Sequence, residues 1–248
     1  MTNHRTAVVL GASGSVGTAL LKELCSDDDF DTIITLVRRT QPAAVAMVGA
    51  SGRRLVEKIV PNMMPTYLTE ATLDATRDLD GDVEGFSVLG VGAKTAKLTI
   101  DEHRAVDVAL SEAFARALRD SGKARHLAFM SAVGADQAAR AGGSGAAGMP
   151  RYNRVKGEAE EAVRASGPPV VSIFRPAMIV GSQHTPWLLE KLLPLFSAIT
   201  PANYQSISVE QIAQAMIATA KRHPESSAIY HYPEMMALIA GRGTERAG

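Results

Sequence analysis

The sequence predicts an α/β fold: a doubly wound parallel sheet (Rossmann fold) with helices on both faces, in a single domain. Three observations predict it. An apolar, β-branched run, Thr6-Ala-Val-Val-Leu10, meets the turn Gly11-Ala-Ser-Gly14-Ser-Val-Gly17, and good helix formers follow from Thr18 to Leu24. Strand-like and helix-like segments then alternate along the chain, the pattern of βαβ units. The clusters able to do chemistry fall at or just after strand ends, where ligands bind in such sheets. The 248 residues can bury a substantial core, and no repeat or long linker divides them, so one domain is expected over 1–248. The part from about 180 to 248 is expected to cover the substrate side.

Each residue of the first turn has a physical task. Gly11 allows the sharp exit from the strand. Gly14 removes the Cβ that would block a phosphate, and Gly17 lets the helix pack on the sheet. The helix start then offers free N–H groups and its positive dipole end to an anion. Gly11, Ser13, Gly14, Ser15, Val16 and Gly17 are thus expected to hold a pyrophosphate. The spacing is G-x-x-G-x-x-G rather than G-x-G-x-x-G, so a plain glycine-rich turn is the alternative at this point.

Thr32 to Val37 reads as the second strand. The segment from about Val45 to Thr69 has weak periodicity, with a strand placed at Arg53–Val60. Gly85 to Gly90 reads as a strand running into a loop. From Ile100 to Asp120, Val106, Leu110, Ala113, Phe114, Ala117 and Leu118 share one helical face, and Gly122 ends the helix. His126–Met130 is the next strand. Arg154–Ser166 is helical, Gly167-Pro-Pro169 stops it, and Val170–Phe174 is a further buried strand. A second apolar helical face, Trp187, Leu188, Leu189, Leu192, Leu193 and Phe196, would line the substrate pocket, pack the core or meet a partner.

Composition excludes several classes. There are 26 basic and 26 acidic residues, so no broad basic surface suggests nucleic acid. The single cysteine, Cys25, rules out an internal disulfide. No apolar run reaches the ~20 residues of a membrane span and no signal peptide precedes the first strand, so a cytoplasmic protein is expected. His103, His126, His184, His223 and His231 show no metal-ligand spacing, and no metal is expected. Asp27-Asp28-Asp29 reads as a solvated turn.

Arg38 and Arg39 follow the second strand, whose end faces the adenosine ribose in such sheets. An acidic side chain there would repel a 2′-phosphate; a guanidinium fork matches one. The pair argues for NADP(H) over NAD, the alternative being two solvated arginines. Tyr152 and Lys156 stand one helical turn apart on one face. An ammonium there favours the phenolate, so the phenol can donate a proton to a carbonyl or take one from an alcohol. Ser131, at the end of a strand, can hydrogen-bond the substrate oxygen or satisfy loop backbone.

These residues resemble the short-chain dehydrogenases/reductases, and within them the atypical members related to the Tat-interacting protein. The matching segments are Leu10-Gly-Ala-Ser-Gly14, Leu36-Val-Arg-Arg39, Ser131 with Gly134-Ala-Asp136, Tyr152-x-x-Val-Lys-Gly-Glu158 and Phe174-Arg-Pro176. The resemblance implies NADPH binding and a catalytic set of Ser131, Tyr152 and Lys156, with Tyr152 and Lys156 also touching the cofactor. It implies cofactor contact by Gly90, Val91 and Gly92, and by Pro176 and Ala177 beside the nicotinamide. Three departures stand out. The subgroup shows two adjacent serines where this chain has Ser131-Ala132. Classical members carry a catalytic asparagine for which the corresponding helix offers no equivalent. Ala138–Pro150 is a glycine-rich insertion, either a lid or a surface loop.

The function expected is NADP-dependent hydride transfer between NADPH and a small carbonyl or alcohol substrate, with a homodimer possible. The alternative is an NADPH-binding regulator or scaffold with little turnover. A nucleotide-sugar epimerase using tightly held NAD is disfavoured by Arg38.

Overall fold

A computed structural model describes residues 5–181 and 201–245. The Trp187–Phe196 face lies outside the described residues. The chain runs β1 (Arg5–Leu10), α1 (Ser15–Cys25), β2 (Phe30–Val37), α2 (Pro42–Ser51), β3 (Arg54–Ile59), α3 (Pro65–Thr76) and β4 (Asp82–Ser87). It continues through α4 (Ile100–Asp107), α5 (Ala109–Asp120), β5 (Ala124–Met130), α6 (Pro150–Ser166) and β6 (Val170–Phe174). The last described elements are β7 (Ile179–Val180), β8 (Ile207–Ser208), α7 (Val209–Lys221), β9 (Ala228–Tyr230) and α8 (Tyr232–Glu245).

Seven strands form one sheet in the order β3-β2-β1-β4-β5-β6-β9, and every neighbouring pair is parallel. β7 and β8 make a separate parallel pair. Strand order reverses between β1 and β4, the place where open sheets of this kind bind their ligands, outside the carboxyl ends of the strands. Parallel strands covered on both faces must be apolar throughout, and β1 and β6 are buried at every position. One core layer packs Leu20, Leu24 and Phe30 against Ile212 and Met216 of α7. The other packs Leu68 of α3, Phe114 and Leu118 of α5 and Val163 of α6. The expected fold class is thus the observed one.

Local chemistry explains the helix starts. Thr99 and Glu102 form a reciprocal capping box at α4, and Ser208 and Gln211 do the same at α7. Proline opens α2, α3 and α6, where its missing N–H costs nothing. The continuous helix expected over Ile100–Asp120 is two helices, which meet at Val108. α6 begins four residues before the expected Arg154, so Tyr152 lies inside it. In the Val45–Thr69 segment the strand is present, but α2 and α3 are additional. α2 is apolar all round with only Val48 fully buried, which gives no stripe to read. The acidic triplet after α1 is corrected in part: Asp27 is fully buried and its carboxylate accepts from Lys221 of α7, while Lys221 also reaches Asp29.

Candidate active site

The first turn separates residues the fold needs from one it does not. Gly11 has φ +91°, and a Cβ there would lie 2.6 Å from the Leu89 nitrogen. A Cβ on Gly17 would collide with the Gly11 carbonyl and lie 2.7 Å from the Ala12 carbonyl carbon. Both positions must be glycine for the chain to close on itself. Gly14 differs: its Cβ would meet only the Gly11 oxygen, at 3.5 Å, an ordinary contact. Its N–H closes the turn on that same oxygen at 3.1 Å. No side chain caps the start of α1. The fold itself does not require this bareness, and a phosphate group fits it. Ser13, Ser15 and Val16 fill the same turn and the first residues of α1.

Arg38 and Arg39 stand exposed just past β2, and neither guanidinium has an ion-pair partner among the described residues.

Beyond β4 the loop Val88–Gly92 lies over α4 and α6. Lys156 is 4% exposed and its Nζ donates to Asp107 Oδ2 at 2.7 Å. Asp107 Oδ1 accepts the Val91 N–H at 3.1 Å, and His103 Nε2–H donates to Oδ2 at 3.2 Å. An acceptor-only carboxylate requires the hydrogen on that ring nitrogen. A Cβ on Gly90 would stand 3.5 Å from Lys156 Nζ and 3.8 Å from Asp107 Oδ2, ordinary contacts that place the loop directly over the pair. The His103 ring stacks on Tyr152 with centroids 5.7 Å apart, and Lys156 Nζ lies 5.8 Å from the centre of the Tyr152 ring. Tyr152 itself keeps access to solvent.

The charges of this cluster hold one another. Burial alone would push the Asp107 carboxyl up, but the Lys156 ammonium, followed by the His103 hydrogen bond, outweighs it, so Asp107 sits well below the usual carboxylate range. Burial opposes the Lys156 charge; the Asp107 carboxylate, followed by Tyr152 and Glu160, outweighs that too, and the lysine is held above its ordinary value.

Ser131 ends β5. Its N–H donates to the Phe174 carbonyl and the Val133 N–H to that of Pro176, which ties this loop to the Pro176–Ala177 segment after β6. Ser131 is 3% exposed and its Oγ has no partner among the described residues. A buried hydroxyl without a partner is costly unless something else completes it. Gly134, at φ +79°, packs against the Asn153 amide, and the Asn153 carbonyl accepts from Asp136 N–H. That contact joins the Ser131 loop to the turn of α6 that carries Tyr152. Arg175 is occupied by a two-bond pair with Glu160. The insertion after Ala138 is held at two points: Gly145 is buried against Thr95 and the Arg151 guanidinium, and Arg154 donates to the Ala139 carbonyl.

The sequence reading missed His103 and Asp107. A signal was present. His103, Asp107, Leu110, Phe114 and Leu118 follow one another at helical spacing, and all five are buried. Two polar residues heading an otherwise apolar stripe demand an internal partner. Asp107 reaches the site from the very helix that offered no asparagine.

Comparison with known proteins gives a consistent picture. A family model described as NAD(P)H-binding matches residues 11–223. The protein named FMP52, mitochondrial, of Eremothecium gossypii is 30% identical over 179 residues, 72% of this chain and 68% of that protein. The Aspergillus niger protein of the same name is 27% identical over 71% of this chain and 67% of its own length. Among solved structures, a short-chain dehydrogenase/reductase from Serratia marcescens superposes with a TM-score of 0.65 at 16% identity, covering 92% of this chain and 97% of that one. MoeE5 in complex with UDP-glucose and NAD gives 0.63 at 16% identity, covering 96% and 82%. At such identities the structures establish the fold alone. The family match bears out the resemblance at the level of an NAD(P)H-binding Rossmann protein and does not reach the Tat-interacting subgroup. The cytoplasmic expectation is overturned, because both curated relatives are mitochondrial by name. Among the described residues no helix is long and apolar enough to cross a membrane. That fact, like the missing apolar run, bears on membrane spanning and not on organellar import, which reads amphipathic, arginine-rich segments.

Proposed function

The chain belongs to the NAD(P)H-binding family, and from that premise we propose that it is an NADP(H)-dependent oxidoreductase acting on a small carbonyl or alcohol. One observation carries this reading. Tyr152 and a buried, charged Lys156 share a face of α6 beneath the Gly90 loop, and Ser131 waits at the end of β5 with a hydroxyl unpartnered among the described residues. The first turn and α1 would hold the pyrophosphate, Arg38 and Arg39 the 2′-phosphate, and Gly90–Gly92 with Pro176 and Ala177 the nicotinamide end. Bound NADP(H) supplies or takes the hydride. Ser131 Oγ–H would donate to the substrate oxygen and fix it against Tyr152. The Tyr152 phenol would pass its proton to that oxygen in reduction and recover it in oxidation. Lys156 would bind the ribose and orient it, its charge secured by Asp107.

NADPH binding by fluorescence, and NADPH consumption with a panel of aldehydes and ketones, test the reading. Tyr152→Phe should bind NADPH as the native protein does and lose about 10²- to 10⁴-fold in turnover, the range for one positioned proton donor. No binding of NADPH, or full turnover in the variant, would overturn the proposal. Binding with no Tyr152-dependent turnover on any carbonyl would return the site to a cofactor-sensing role.

A further inference from the structure

Asp107 raises a question that the proton-transfer role leaves open. A lysine beside a tyrosine is useful because an uncompensated cation draws the proton off the phenol. Here the cation is compensated. Lys156 Nζ and Asp107 Oδ2 lie 2.7 Å apart, both side chains nearly inaccessible to water. In so buried a setting a carboxylate at contact distance cancels much of the field of the ammonium at any third group several ångströms off. Tyr152 is such a group, 5.8 Å from Nζ by its ring centre.

The other charged and titratable groups around the pair do not restore the lost field. On α4, His103 donates to Asp107 through Nε2, and its Nδ1 is buried without a partner among the described residues. On α6, Tyr152 in its ionised form and then Glu160 also act on the Lys156 charge, and Arg175, after β6, is spent on Glu160 through two hydrogen bonds. Asp136, in the loop after β5, acts in turn on Arg175. From the loop after β4 comes only a backbone donor, Val91 N–H. Among the described residues, Lys156 is therefore an ammonium set between the Asp107 and Glu160 carboxylates and the Tyr152 phenol, with Asp107 alone at contact distance.

We infer that Asp107 is a positioning residue that sets the pH at which the site gives up a proton: by neutralising Lys156 it keeps the Tyr152 proton on the phenol to higher pH than a bare ammonium would allow. The inference rests on the oxidoreductase reading for its consequence, but its physical content is a charge balance that exists without substrate or cofactor. It also assigns the three contacts of Asp107 one purpose. The Val91 and His103 hydrogen bonds hold the carboxylate where it meets Nζ, and the His103 ring backs the ring of Tyr152.

The test is an optical titration of tyrosinate on the cofactor-free full chain. The difference between native protein and Tyr152→Phe isolates the Tyr152 step from the other four tyrosines. The same difference is then taken in an Asp107→Asn background. Removing the carboxylate should bring the Tyr152 step to lower pH by about one unit or more, the effect of unmasking one nearby opposite charge. Asp107→Glu, which keeps the charge, should hold the step near its native position. A step that stays in place or moves to higher pH in Asp107→Asn would overturn the inference. If circular dichroism shows that the asparagine variant does not fold, Asp107→Ser carries the same comparison, with the same two outcomes. The two proposals fail separately. A protein that binds no NADPH sinks the oxidoreductase reading and leaves the titration standing. An unchanged titration in an active reductase sinks only the charge argument.

Discussion

Two regions of this sheet hold nearly the same residue types and do different things. Above the carboxyl ends stand Ser131, His103, Asp107, Lys156 and Tyr152. Lower in the sheet, side by side on neighbouring strands, stand Arg5, Glu84, His126 and Ser172. Arg5 Nη2 donates to Glu84 and to the Ala220 carbonyl of α7, Glu84 Oε2 meets His126 Nδ1 at 2.9 Å, and His126 Nε2 meets Ser172 Oγ at 2.9 Å. By distance alone the serine, histidine and carboxylate of this ladder would pass for a nucleophile with its base and orienting acid. Ser172 is fully buried, however, and the Glu84 carboxylate and both His126 nitrogens are spent inside the protein, with only Arg5 Nε left without a partner among the described residues, far from the carboxyl ends of the strands. The upper cluster keeps capacity in reserve: among the described residues the Ser131 hydroxyl and His103 Nδ1 have no partner, and Tyr152 is half-buried with access to solvent. The difference teaches that residue type is a weak guide to chemistry. Unspent hydrogen-bonding capacity beside an opening is a stronger one.

The comparison breaks most readily at Glu84. If the lower ladder is only structure, Glu84→Ala leaves the Arg5 guanidinium buried without its carboxylate, with only the Ala220 carbonyl to accept from it, and should cost about 3–5 kcal/mol of stability, read from urea unfolding. NADPH affinity of the folded protein should not change. A large loss of affinity with little loss of stability would show that the ladder serves the site and that the contrast drawn here is wrong.

A smaller effect is expected just past β2. Arg38→Ala removes one charge-assisted contact to a 2′-phosphate, worth about 1.5–3 kcal/mol. NADPH binding should weaken about ten- to a hundredfold while NADH binding barely moves, as measured by fluorescence titration of both. Equal weakening of the two would remove the arginine from phosphate recognition. Because Arg38 is exposed and unpaired, stability should be indifferent to the change.

How much of this was legible in the sequence follows from the range of the interactions. The first turn, the buried strands and the Tyr152–Lys156 pair could be read, since each is written within seven consecutive residues and repeats at strand or helix spacing. α2 could not, because its apolar residues surround it evenly and its place is set by the sheet edge it covers. Asp107 could not be assigned, since its partner lies on another helix and its own neighbourhood reads as an ordinary amphipathic surface. The solitary hint was polarity inside the Leu110–Phe114–Leu118 stripe. Asp27 misled for the same reason: three aspartates in a row look solvated until α7 returns and sets Lys221 over the first. Long-range pairing of charges is the part of a fold that local pattern does not carry.

The smallest expected effect is the sharpest test of the contrast between spent and unspent capacity. Gly11, Gly14 and Gly17 look equivalent in the sequence, but the structure needs only two of them. Gly17→Ala drives a methyl into the Gly11–Ala12 backbone and should destabilise the protein. Gly14 has negative φ, −80°, and open space beyond one ordinary contact. Gly14→Ala should therefore fold with a stability within about 1 kcal/mol of native, since a glycine in an unstrained conformation gives up little to alanine. Its NADPH affinity should fall all the same, because the methyl occupies the approach to the start of α1. Thermal unfolding and NADPH titration on the same sample separate the two. A destabilised Gly14→Ala that still binds NADPH normally would make this glycine, like its neighbours, a servant of the fold. A stable variant that has lost NADPH would mean that the bare backbone is kept for a molecule the protein does not itself contain.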